Sequence, residues 1–108
     1  MKFLLSFLVA LSLLTSVAQA DVKKGQKIFL KKMKSCKKDG VKNGIIFAHK
    51  HSQDEWRMFN SKALIKSTFK EICPSATKKI DKMKPKNIQH LTDFVIEYAS
   101  DSGNVPSC

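Results

Sequence analysis

The chain has 108 residues, with 20 basic and nine acidic side chains and a formal net charge of +11. This length suits one small domain, and the charge favours fast, salt-sensitive encounters with anions over burial in an obligate interface. There is no serine elbow motif, no glycine-rich phosphate loop and no pair of carboxylates in an apolar run, so we do not expect an enzyme.

The first 20 residues have the three parts of a secretory signal peptide. Lys2 provides the positive start, residues 3–14 are almost entirely apolar, and Ala18-Gln19-Ala20 is a small-x-small cleavage site. The apolar run is shorter than the 20 or so residues that span a bilayer. Cleavage after Ala20 would leave residues 21–108 as a single exported domain, periplasmic or secreted, without a membrane span.

The apolar residues of this exported part recur at helical spacing, and no alternating strand pattern appears, which predicts an all-α fold. The first predicted helix runs from Val22 to Cys36, with Asp21 as its N-cap. Gly25 lies on its apolar face. A glycine there costs helix stability, so we expect another backbone to cross close to it.

Lys37 to Lys50 is predicted to be a loop that covers the core, because it holds the turn signals Asp39-Gly40 and Asn43-Gly44. Ser52 and Glu55 then form a capping box that opens a second helix, which carries Trp56 and Phe59. Asn60-Ser61 is expected to interrupt this helix.

A third helix is predicted from Lys62 to Ile72, stopped by Pro74. Its predicted inward side chains are Leu64, Ile65, Phe69 and Ile72. Pro85 suits the first turn of a last helix from Lys86 to about Ser100. Its apolar stripe consists of Ile88, Leu91, Phe94, Val95 and Tyr98. The expected fold is thus a small bundle of about four helices.

The first predicted helix also has the spacing of a helix that runs into a haem-attachment site, and the whole exported part resembles class I cytochrome c. The residues that carry the resemblance are Gly25, Phe29, Cys36, Met83, Leu91, Phe94 and Tyr98. In that family the first and last helices cross, and a methionine in the loop before the last helix is the distal iron ligand. The resemblance therefore implies a crossing of these helices and assigns the ligand position to Met83.

The chain departs from the family at the attachment site, where Met33 replaces the first cysteine and Lys37 replaces the histidine. We therefore expect no cofactor and a role as a binding or accessory module. The alternatives are an electron carrier that holds one haem c through Cys36, with Lys37, a histidine or Met83 as ligands, and a thiol-redox protein that uses Cys36. In the latter, the lysines beside Cys36 would lower its pKa.

Three cysteines in an oxidising compartment predict one disulfide and one cysteine left over. Because Cys36 occupies the haem-attachment position, we favour pairing of Cys73 with Cys108, with Cys36–Cys108 as the alternative.

The remaining expectations concern metals and partners. His49-x-His51 has the wrong spacing for two ligands on one helix face, so we predict no metal site. The expected partner of this monomer is an acidic periplasmic protein or an anionic surface, and not nucleic acid.

Overall fold

The computed structural model describes residues 21–104. The predicted signal peptide, residues 1–20, and Cys108 lie outside the described residues. Among the described residues, no helix has the length and apolar character that crossing a membrane requires.

Within residues 21–104 the backbone forms six α-helices and two short 3₁₀ helices, with no strand. Helix α1 covers residues 21–32. The others are α2 (Gly44–Ala48), α3 (Gln53–Ser61), α4 (Ile65–Ile72), α5 (Thr77–Lys82) and α6 (Pro85–Glu97), and the 3₁₀ helices are Lys34–Asp39 and Pro74–Ala76. The predicted all-α class is confirmed.

The first helix is shorter than predicted, because α1 ends before Met33. The backbone at Met33 departs from helical geometry, with φ −112° and ψ 23°, and the chain continues as the first 3₁₀ helix. That helix ends at Gly40, whose φ of 84° is left-handed and favours glycine. Cys36 therefore lies on a separate turn from α1.

Helix α2 falls within the stretch that we predicted to be a loop, and that prediction is wrong. The Asn43 side chain accepts a hydrogen bond of 2.9 Å from the backbone N–H of Ile46. Asn43 is therefore an N-cap, and the Asn-Gly pair begins a helix here where we expected a turn.

The predicted capping box of α3 is confirmed. Ser52 Oγ accepts from the N–H of Glu55 at 3.2 Å, and the N–H of Ser52 donates to Glu55 Oε1 at 3.0 Å. The third helix begins later than predicted, after Ala63, whose φ of 58° is left-handed. This turn leaves Leu64 45% exposed, so its predicted inward position is wrong.

Helix α6 begins at Pro85, as predicted, but ends at Glu97 and not near Ser100. The sequence analysis missed α5, which ends at Lys82 and is followed directly by Met83. The short α5 follows the second 3₁₀ helix and buries Ile80 completely.

Five aromatic side chains fill the core between these helices: Phe29, Phe47, Trp56, Phe69 and Phe94. Phe47 lies at the centre, with its ring 5.2 Å from that of Phe29 and 5.3 Å from that of Phe69. Trp56 is fully buried, and its Nε1 donates to the carbonyl oxygen of Ala48 at 2.9 Å. Helix α2 therefore supplies both a central ring and the partner of a buried polar group.

Candidate functional site

The structure joins Cys36 to Cys73 in a disulfide, with Cα atoms 5.0 Å apart, and this corrects the predicted pairing of Cys73 with Cys108. The pair forms because the two 3₁₀ helices lie side by side. Asp39 of the first accepts from both the N–H and the Oγ of Ser75 in the second, at 2.9 and 2.8 Å. Nothing in the local sequence around Cys36 indicated this long-range contact.

The structure separates the residues that the resemblance assigned to haem. The sulfur of Cys36 is bonded to Cys73 and fully buried. Lys37 lines a shallow groove beside α1, whereas Met83 lines a different groove between α5 and α6. The fold therefore does not bring Cys36, Lys37 and Met83 together around one cavity.

The disulfide between Cys36 and Cys73 also bears on the thiol-redox alternative. Nucleophilic attack needs an accessible thiolate, and both Cys36 and Cys73 are 0% exposed and bonded to each other. In this arrangement the disulfide is a structural link between the two 3₁₀ helices.

His51, which follows α2, contacts the first turns of α3. His51 packs edge-on against Trp56 and Phe59, and its Nδ1 lies 3.5 Å from Glu55 Oε2. Hydrogen bonds from the Ser52 backbone and hydroxyl, with a further one from His51, hold the pKa of Glu55 below its usual value. His49 is exposed. This cluster completes the helix cap.

Two adjoining grooves are lined by lysines, and we call the surface that they form the lysine face. One groove, of about 470 Å³, lies where the end of α1 meets α5 and the start of α6. The other, of about 510 Å³, runs between α1 and α6, and the two share Lys32 and Asn87. The lysine face comprises Lys24, Lys27, Lys31, Lys32, Lys78, Lys79, Lys82, Lys84 and Lys86.

The lysines of the lysine face are not paired with carboxylates of the described part of the chain, although Asp21 and Asp93 lie beside His90, which lines the second groove. Neither groove has an acidic side chain in its lining, and none of the nine lysines forms an ion pair within residues 21–104. Met83, 8% exposed, gives the first groove an apolar floor. Unpaired, solvated lysines around a concave surface raise the local positive potential.

Acidic residues gather at the opposite end of α6. Asp101 accepts from the N–H of Gln53 at 2.9 Å, and Asn104 Nδ2 donates to Glu97 Oε1 at 3.2 Å. At 1.5 Å per residue, Glu97 lies roughly 16 Å along α6 from Lys86. Glu97 and Asp101 therefore lie away from the lysines at the start of α6.

The sequence analysis predicted from the net charge that the chain meets anions, but it did not collect these lysines into one surface. The spacing of Lys24, Lys27 and Lys31 does mark one side of α1. The lysines of α5 belong to a helix that we did not predict. Their position beside α1 depends on how the helices pack.

Comparison of the chain with protein-family models, with curated proteins and with solved structures finds no match.

Proposed function

We propose that this chain is a small exported binding module that docks an acidic segment of a partner protein onto its lysine face. The observation that carries the proposal is the concentration of nine unpaired lysines around two adjoining grooves. The cytochrome c-like interpretation of the fold is part of the proposal, and the close packing of α1 on α6 at Gly25 supports it.

The shape of the lysine face favours an acidic protein segment over a flat anionic surface. A flat lipid surface meets exposed lysines but does not enter a groove. A peptide can place carboxylates against Lys32 and Lys79 while an apolar side chain contacts Met83. Charge complementarity of this kind contributes mainly to the association rate and to specificity.

The test is fluorescence anisotropy with a labelled ten-residue Asp/Glu peptide that contains one leucine. The double variant Lys32→Glu/Lys79→Glu should bind the peptide about tenfold or more weakly, and its affinity should depend less on salt. The control Lys50→Glu/Lys62→Glu makes the same change in net charge at exposed positions outside the lysine face and should bind like the parent.

Equal loss of binding in both double variants would show that net charge alone attracts the peptide. Stronger binding to anionic vesicles than to the peptide, lost in the same lysine-face variant, would identify a surface as the partner and contradict the proposal.

A further inference from the structure

His90 carries a buried ring nitrogen that lacks a hydrogen-bond partner within the described part of the chain. The residue is 8% exposed, and its Nδ1 is fully shielded from solvent. An unpaired buried polar atom is costly, so such an atom in a native fold calls for an explanation.

Two carboxylates lie beside this nitrogen. Asp21 Oδ1 is 3.7 Å from His90 Nδ1, and one ligand atom from each of Asp21, His90 and Asp93 lies within 4.8 Å of the other two. Asp93 follows His90 by about one turn of α6, so both side chains lie on the same face. Asp21 comes from the first turn of α1.

Gly25 explains why Asp21 reaches α6. It lies one turn after Asp21, and a Cβ at this position would overlap the carbonyl oxygen of His90. The missing side chain lets the two helix backbones approach closely enough for Asp21 to face His90 and Asp93.

Asp21 and Asp93 bring two carboxylates close together beside His90, with ligand atoms within 4.8 Å of each other. A cation between the two carboxylates would remove the repulsion between them.

We propose that Asp21, His90 and Asp93 form a binding site for a divalent transition-metal ion of the Zn²⁺ class. One imidazole nitrogen with two carboxylate oxygens is a ligand set that Zn²⁺ accepts, whereas Mg²⁺ and Ca²⁺ prefer oxygen ligands alone. Tetrahedral Zn²⁺ needs ligand atoms about 3.3 Å apart, which rotation of the two carboxylates can provide. Cleavage after Ala20 would add the α-amino group of Asp21 as a further nitrogen close to the site.

The charges of neighbouring side chains affect the expected affinity of the site for Zn²⁺. Lys24, Lys27 and Lys86 line the groove that also contains His90, and their positive charge opposes the approach of a cation. We therefore expect weaker binding than the same three ligands would give without these lysines.

The experiment uses the untagged chain from Asp21 onward, oxidised, and freed of metal with a chelator. Zn²⁺ should bind with one-to-one stoichiometry in a calorimetric titration, and a hundredfold excess over its Kd should raise Tm by roughly 10–20 °C. Mg²⁺ at the same concentration should leave Tm unchanged. The ring-nitrogen NMR signals of His90 should shift on addition of Zn²⁺.

Asp93→Asn and His90→Gln should each weaken Zn²⁺ binding about tenfold or more, whereas the matched controls Glu71→Gln and His49→Gln, both at exposed positions, should bind like the parent. If His90→Gln fails to fold by circular dichroism, Asp93→Asn and Asp21→Asn decide the question. The proposal is overturned if the parent does not bind Zn²⁺, if Asp93→Asn binds it unchanged, or if His49→Gln abolishes binding.

Discussion

Gly25 of α1 lies directly against Phe94 of α6, so that a Cβ added to Gly25 would be 2.7 Å from the Cβ of Phe94. Carbon atoms in a packed core are normally about 3.5–4.0 Å apart. The ring of Phe29, one turn further along α1, stacks 6.4 Å from the ring of Phe94. The absence of a side chain at position 25 therefore sets how closely α1 and α6 approach.

Replacement of Gly25 should destabilise the domain even when the new residue is alanine. An alanine at an exposed helix position usually adds about 1 kcal/mol of stability relative to glycine. Here it would overlap α6, and we expect Gly25→Ala to lower the free energy of unfolding by about 1–3 kcal/mol and Gly25→Leu by more. Thermal melts give the comparison, with Lys23→Ala on the exposed face of α1 as control. A Gly25→Ala protein that melts above the parent would contradict this packing.

The Cys36–Cys73 disulfide should contribute a large share of the stability of so small a domain. It closes a loop with a sequence separation of 37 residues, for which the chain-entropy estimate is about 4 kcal/mol. We expect Cys36→Ser/Cys73→Ser to lose about 2–5 kcal/mol in denaturant unfolding. Proteolysis without reduction should yield a peptide pair that links Cys36 to Cys73, and thiol titration of the unfolded chain should find one free cysteine. A linked peptide that contains Cys108 would refute the pairing.

Trp56→Phe should destabilise the core through a lost hydrogen bond as well as lost volume. The carbonyl oxygen of Ala48 would lose the indole donor that it accepts at 2.9 Å, while the smaller ring leaves a cavity. Together these effects should cost about 2–4 kcal/mol in chemical denaturation followed by circular dichroism. The control is Tyr98→Phe, which removes a hydroxyl from a partly buried ring. A loss for Trp56→Phe no larger than for Tyr98→Phe would argue against the role of the hydrogen bond.

Asp93→Asn should stabilise the metal-free protein at neutral pH. Burial raises the pKa of Asp93 in the folded state above the reference value of 3.8, so ionisation of Asp93 works against folding. This penalty is absent at pH values below the pKa of Asp93 in the unfolded chain, and it is complete at pH values above the pKa of Asp93 in the folded protein. The Tm advantage of Asp93→Asn, measured in chelator, should therefore be present at pH 7 and shrink towards zero as the pH falls below about 3.8.

The same substitution should remove the stabilisation that Zn²⁺ gives the parent, so its effect reverses sign when the metal is added. Glu71→Gln, at an exposed position, serves as the control for both conditions. If Asp93→Asn raises Tm in chelator by the same amount at every pH, the ionised carboxylate is not the cause of the higher Tm.

Several elements were predictable because their signals are local. The capping box of Ser52 and Glu55 lies within four residues, and Pro85 begins α6 because its fixed backbone angle suits a first turn. The close approach at Gly25 was predictable because a glycine on the apolar face of a helix needs a packing reason.

The short helices were not predictable to the same degree. Helices α2 and α5 have five and six residues, too few for a clear helical period, and helices this short draw most of their stability from tertiary packing. Asn43-Gly44 suits both a turn and a helix start. In the structure it starts a helix, and this helix buries Phe47 among the other aromatic rings.

The sequence by itself determined the all-α class, the cap of α3 and the start of α6, since each depends on residues close together in the chain. The glycine on the apolar face of α1 predicted a close backbone contact, and the tertiary structure identified its partner as α6. Only the tertiary structure decided that Cys36 bonds Cys73, that lysines from α1, α5 and α6 form one face, and that Asp21 lies beside His90. The physical reason is distance along the chain. These groups meet through helix packing, which no local pattern of residues encodes.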